Sequence, residues 1–174
     1  LLENVYWLPV WLGGYSSHDF PRVAQRIFDI FDCGIAPAQA PRDAAVVLPL
    51  PDAADDAGDA QRKFLQAATR LINERGYRGA SVERIASQLN VTKVSFYHHL
   101  QAKDDLVLAC FRRSFETVIQ AQRRADGHGA MQWHHLASSL ATLLDVQFSE
   151  RGPLLRTTAL QALPLEFRKS VIEQ

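Results

Sequence analysis

An all-α fold is the reading that three features of the sequence agree on. Apolar residues recur at three- and four-residue spacing from Phe20 onward, residues that cap or stop helices punctuate those runs, and no stretch alternates with the two-residue period of a strand. The length, 174 residues, suits one domain or slightly more. Apolar residues make up 47% and charged residues 22%, as in ordinary soluble globular proteins, which excludes collagen-like, mucin-like and wholly disordered chains.

The elements follow in order. Residues 1–15, with Tyr6, Trp7, Trp11 and Tyr15, read as a helix entered in mid-course and perturbed at Pro9. Asp19 is placed to cap a second helix whose first turn tolerates Pro21. Phe20, Val23, Ala24, Ile27, Phe28 and Phe31 form its apolar face, and Gly34 with Pro37 ends it. Residues 37–59 carry Pro37, Pro41, Pro49 and Pro51 among alanines and aspartates, the composition of an extended linker. Within it, only Val46-Val47-Leu48 offers something to dock.

Beyond the linker the reading is helical throughout. Asp59 opens a helix with Phe64, Leu65, Ala68, Leu71 and Ile72 on one face, stopped at Gly76. Ser81 caps the next, with Val82, Ile85, Ala86 and Leu89 inward and Asn90 as its stop. Thr92 caps a short helix to His99, and a longer one opens at Lys103-Asp104-Asp105 and closes near Gly127. Trp133, Ala137, Leu140, Leu144 and Phe148 mark another amphipathic helix, and Pro153 and Pro164 are each placed to open one more.

Net charge is zero, yet it is segregated. Residues 1–59 hold three basic against nine acidic groups, residues 60–115 ten against four, and residues 116–174 six of each. A basic block of that size points to a polyanionic partner. Its two short helices, 81–89 and 92–99, are joined by about three residues, the layout of a helix-turn-helix whose second helix enters the major groove. Thr92, Lys93, Ser95, Tyr97, His98 and His99 give that helix hydroxyls, a cation and polar tips, and Arg84 and Lys103 flank it.

The run Arg75-Gly76-Tyr77, Ala80-Ser81-Val82, Ile85-Ala86, and then Leu89 through Leu106 without a break, resembles the DNA-binding domain of the tetracycline-repressor (TetR) family. The likeness covers about residues 62–116, and its signature runs aliphatic, Ser/Thr, basic, small, x, x, Tyr, x, His, Phe, x, x, Lys, acidic, x, Leu. It implies a three-helix, homeodomain-like helix-turn-helix domain joined to part of a helical ligand-binding and dimerisation domain. By that resemblance Thr92, Lys93 and Ser95 meet DNA, Tyr97 and His98 hold phosphates, and His99 is the signature histidine. Lys103 is the lysine that meets the backbone, and Ser81 caps its helix beside a phosphate. Val94 departs from the usual small residue, which implies either a helix seated slightly further out or methyls that touch a thymine methyl, and Leu100 replaces the usual Phe.

The resemblance divides the chain at 1–36, 37–59, 60–106 and 107–174. The first piece, with Trp7-Leu8-Pro9-Val10-Trp11 and the helix closing at Asp32-Cys33-Gly34, is similar to the last helices of a preceding TetR-like unit, so the chain reads as a fragment of a tandem protein. In residues 107–174, Val118, Ile119, Trp133, Leu140, Leu144, Leu155 and Leu160 are candidates for core or for an effector pocket, core being the commoner fate. The expected function is a transcriptional regulator, a repressor by preference, acting as a homodimer on double-stranded operator DNA and answering to a small-molecule effector. The rival reading keeps the helix-turn-helix as a protein-interaction module, because an acidic linker stands where a basic arm is usual.

Other chemistry has little support. No Gly-rich phosphate loop, Ser-His-Asp set or carboxylate pair argues for an enzyme, and no cofactor is expected. Neighbouring histidines such as His98-His99 or His134-His135 point about 100° apart on a helix, so no metal site is expected. Cys33 and Cys110 are too few for a disulfide framework, and Cys110 faces inward as a small apolar residue. With no signal peptide and no apolar stretch of about 18 residues, a cytoplasmic protein with no membrane partner is expected.

Overall fold

A computed structural model describes residues 12–41, 45–51, 56–80, 84, 85, 87, 103–129, 131–164, 167, 168 and 171. Among them all regular structure is helical, and no residue is in a strand. The chain divides into two compact units, residues 1–40 and 41–174.

In the first unit, two 3-10 turns, Leu12–Gly14 and Ser17–Asp19, lead into helix α1, Phe20–Cys33. Asp19 does not cap it. Coming from a 3-10 turn, its backbone is already right-handed helical (φ −83°, ψ −14°), and its carboxylate instead accepts from Ser16 Oγ at 2.8 Å and Arg22 Nη2 at 3.3 Å. Pro21 stands in the first turn as expected, and Gly34, at φ 77°, donates its N–H to Ile30 O to close the helix. None of the residues of α1 is buried, so Phe20, Phe28 and Phe31 are exposed. The reading of residues 1–11 as a helix lies outside the described residues.

The second unit is built on α2 (Asp56–Gly79), α3 (Lys103–Asp126), α4 (Gln132–Phe148) and the short α5 (Thr158–Gln161). Helix α2 starts one turn earlier than Asp59, and Gly76 breaks it with a left-handed φ of 71° that a side chain would strain. The predicted face is the real one: Phe64, Leu65, Ala68, Leu71 and Ile72 are all buried, and Ile85 is fully buried. Helix α3 packs against both α2 and α4, and Leu106, Val107, Cys110 and Phe111 fill the interior from its first half. The Cys110 thiol lies 3.7 Å from Leu65 O, and burial pushes it up to about 11.

Helix α4 buries an unexpected face. Leu140 and Leu144 are exposed, Phe148 is 85% exposed, and Trp133 is only partly covered, whereas Ala137, Ser138, Thr142 and Val146 are buried. The reason is the partner. Residues 45–51, in the middle of the proline-rich stretch, lie extended along α4, with Val46 N–H donating to Ser138 Oγ at 3.2 Å and Leu48 N–H to Thr142 Oγ1 at 2.9 Å. Two extended residues advance about 6.6 Å and four helical ones about 6 Å, so donors at 46 and 48 register with hydroxyls at 138 and 142. Trp133 Nε1 donates to Pro41 O at 3.4 Å, and Leu50 is buried beside Ala121 and Val146. A backbone strap needs hydroxyl acceptors rather than leucines, and this face of the helix supplies them.

After α4 the chain does not re-enter a helix at Pro153. Residues 152–156 take no regular structure, and their backbone groups are taken by side chains from other elements. Asn73 Nδ2 donates to Leu154 O at 2.8 Å, Arg70 Nη2 to Gly152 O at 3.3 Å, and Gln66 Nε2 to Arg151 O at 3.1 Å. From α3, Arg113 donates to the carbonyls of Arg151 and Pro153, and Ser114 Oγ accepts from Leu155 N–H at 3.0 Å. Leu155 and Leu160 are thereby held in the core, unlike Ile119. No helix among the described residues is long and apolar enough to cross a membrane.

Candidate nucleic-acid interface

Of the residues that the sequence assigns to DNA, Ser81, Thr92, Lys93, Val94, Ser95, Tyr97, His98 and His99 lie outside the described residues. Arg84 and Lys103 are described, and they meet at one corner. Arg84, exposed, donates through Nη1 to Gly79 O at 3.2 Å. Lys103 Nζ donates to Arg78 O at 3.3 Å and stands 4.5 Å above the Tyr77 ring. The two cations thus hold neighbouring carbonyls at the end of α2, one coming from the helix that follows and one from the head of α3.

The corner explains why those residue types occur there. Carbonyls at a helix end lack intrahelical donors, and cations there also suit the negative end of the helix. The Tyr77 face attracts the ammonium, and the Tyr77 hydroxyl donates to Asp104 Oδ1, in the first turn of α3. An ammonium has three donors, so one bond to Arg78 O leaves two for a phosphate. Arg75, which opens the run that carries the family resemblance, and Arg78, which no motif names, are exposed on the same end of α2 and add charge. The signal for Arg78 was only the basic excess of the segment.

The hydrogen bond to Asp104, then burial, then the Asp104 charge push the Tyr77 hydroxyl up to about 12. An unfolded tyrosine titrates near about 10, so between those values the folded chain keeps a proton that the unfolded chain has lost. The stabilisation is complete below pH 10 and is lost as pH rises toward 12. Tyr77→Phe should lower the urea midpoint at pH 8 and flatten the fall between pH 10 and 11. Equal slopes in the two proteins would show that the bond does not form.

Gln66, Arg70 and Asn73, spaced along α2, had no local signature. Their partners lie 81 to 85 residues away, in the segment after α4. They tie the helix preceding the helix-turn-helix to the rest of the second unit.

Residues 64–110 match the family model described as bacterial regulatory proteins, tetR family. The chain is similar to the Transposon Tn10 TetC protein of Escherichia coli, 26% identical over 61% of this chain and 58% of that protein. It is also similar to the HTH-type transcriptional activator FasR of Mycolicibacterium smegmatis, 32% identical over 36% of this chain and 29% of that protein. The chain therefore corresponds to part of the length of the curated relatives it matches. No solved structure matches it significantly. The buried face of α2, the cationic corner at 78–79 and the head of α3 all fall within the matched stretch. Residues 64–110 are thus the part of the chain that is similar to the bacterial regulatory proteins of the tetR family.

Proposed function

We propose that the chain acts in the cytoplasm as a sequence-specific DNA-binding transcriptional regulator, a repressor that a small-molecule effector releases. The observation that carries this reading is the family match at residues 64–110, which contains the whole recognition run from Thr92 to His99. Likeness to a protein named a transcriptional activator supports control of transcription, and a reporter fused to the bound promoter would give the sign. In this reading residues 60–106 hold DNA and residues 107–174 begin the regulatory domain. Residues 1–36 would be a further helical segment, similar to the last helices of a TetR-like unit. Two copies act together, because paired recognition helices must reach major-groove faces about 34–36 Å apart.

Fluorescence anisotropy against genomic fragments across a salt series tests the reading. Binding to some fragments far above the rest, with affinity falling steeply as salt rises, is expected. Absence of any DNA binding would favour the interaction-module alternative. In the same series Lys103→Ala should weaken binding alike on every sequence and lower the salt slope by about one. An unchanged slope would assign Lys103 wholly to its bond with Arg78 O and the Tyr77 face.

A further inference from the structure

A cleft of about 420 Å³ opens between α2, α3 and the strap. Its apolar wall is Leu50, Leu65 and Val146. Its polar wall carries four arginines, Arg62 from α2, Arg112 and Arg113 from α3, and Arg151 from the turn after α4, with Glu116 as the carboxylate among the described residues. The volume lies within the range of small-molecule sites, about 300–1,000 Å³. Guanidinium forks match carboxylate and phosphate oxygens in pairs.

We propose that this cleft binds a small organic anion, its apolar body against Leu50, Leu65 and Val146 and its carboxylate or phosphate head among the arginines. Burial first, and then the neighbouring Arg62 and Arg70 charges, hold the Arg113 guanidinium below the ordinary arginine range. An anion offsets that repulsion. Arg113 is already oriented, since it donates to the carbonyls of Arg151 and Pro153. Arg151 is likewise fixed through Nη1 to Pro51 O at 3.1 Å, which ties the cleft to the strap. A ligand head bridging Arg62 and Arg112 would pin α2, the entry to the DNA-binding segment, to α3. The regulatory consequence rests on the effector-controlled reading above, whereas the binding itself does not.

Thermal melting of the full chain without DNA, at constant ionic strength in chloride, tests the site with three probes: benzoate, phenyl phosphate and benzyl alcohol. A saturable rise in melting temperature with at least one anion and none with the alcohol is expected, and the stronger of the two anions identifies the head group. Arg112 is exposed, so Arg112→Gln should fold and weaken the anion about tenfold, the loss of one charge-assisted bond. Arg113→Lys, which keeps the charge and loses the fork, should weaken it as well. No saturable effect of either anion, an equal effect of the alcohol, or an unchanged response in Arg112→Gln would overturn the site. With the anion bound, DNA affinity should change at least several-fold. Anion binding with unaltered DNA affinity would overturn the effector role. Anion binding by a chain that holds no DNA would keep the site and remove the regulator reading instead.

Discussion

Gly152→Ala is expected to lower the melting temperature of the protein by roughly 5–12 °C. Gly152 is buried in the segment that follows α4. A Cβ there would fall inside contact distance of the Val146 carbonyl oxygen and 2.8 Å from that of Gln147. Those atoms belong to the last turn of α4, so no side chain can swing aside to make room. Either the helix end or the segment must move, and the segment is held by Gln66, Arg70, Asn73 and Arg113 through its carbonyls. Displacing it loosens several of those bonds together, and each is worth about 0.5–1.5 kcal/mol or more when the donor is charged. Gly127→Ala is the control, since its nearest new contact is an ordinary 3.8 Å to Arg124 O. Equal melting of the two variants would mean that the segment after α4 yields freely.

That segment and the strap mark where the sequence stops being readable. The face of α2 was legible because its partners are side chains, and apolar periodicity records side-chain burial: Phe64, Leu65, Ala68, Leu71 and Ile72 are all inside. The same logic failed on α4. There the partner is a backbone with unpaired N–H groups, so Ser138 and Thr142 go inward and Leu140 and Leu144 outward. A pattern of leucines cannot report a contact made by hydroxyls. Nor could spacing reveal Asn73 or Arg70, whose carbonyl partners sit more than 80 residues away. At the candidate interface the split is similar. Motif reading singled out Arg84 and Lys103, which the structure places on adjacent carbonyls, but it said nothing of Arg78 or the Tyr77–Asp104 bond that shape the same corner.

The contrast between corner and recognition helix sets the second large effect. Lys103 is held by a backbone carbonyl and a tyrosine face, a mount that presents charge without regard to base sequence. By the family resemblance Lys93, one residue after Thr92, is proposed to fall where the first turn of a recognition helix reaches base edges. Lys93→Ala should therefore cost about 1–3 kcal/mol, roughly 5- to 150-fold in affinity, on the preferred operator, and much less on operators already altered at the base pair it reads. Anisotropy titrations at one salt concentration, with the operator and a set of its single-base variants, separate the two behaviours. For Lys103→Ala the ratio of affinities between operators stays constant while all fall together. For Lys93→Ala the ratio collapses at one position and survives elsewhere. A Lys93→Ala loss spread evenly over every operator would move Lys93 to the phosphates and leave base reading to Val94, Ser95 and His98.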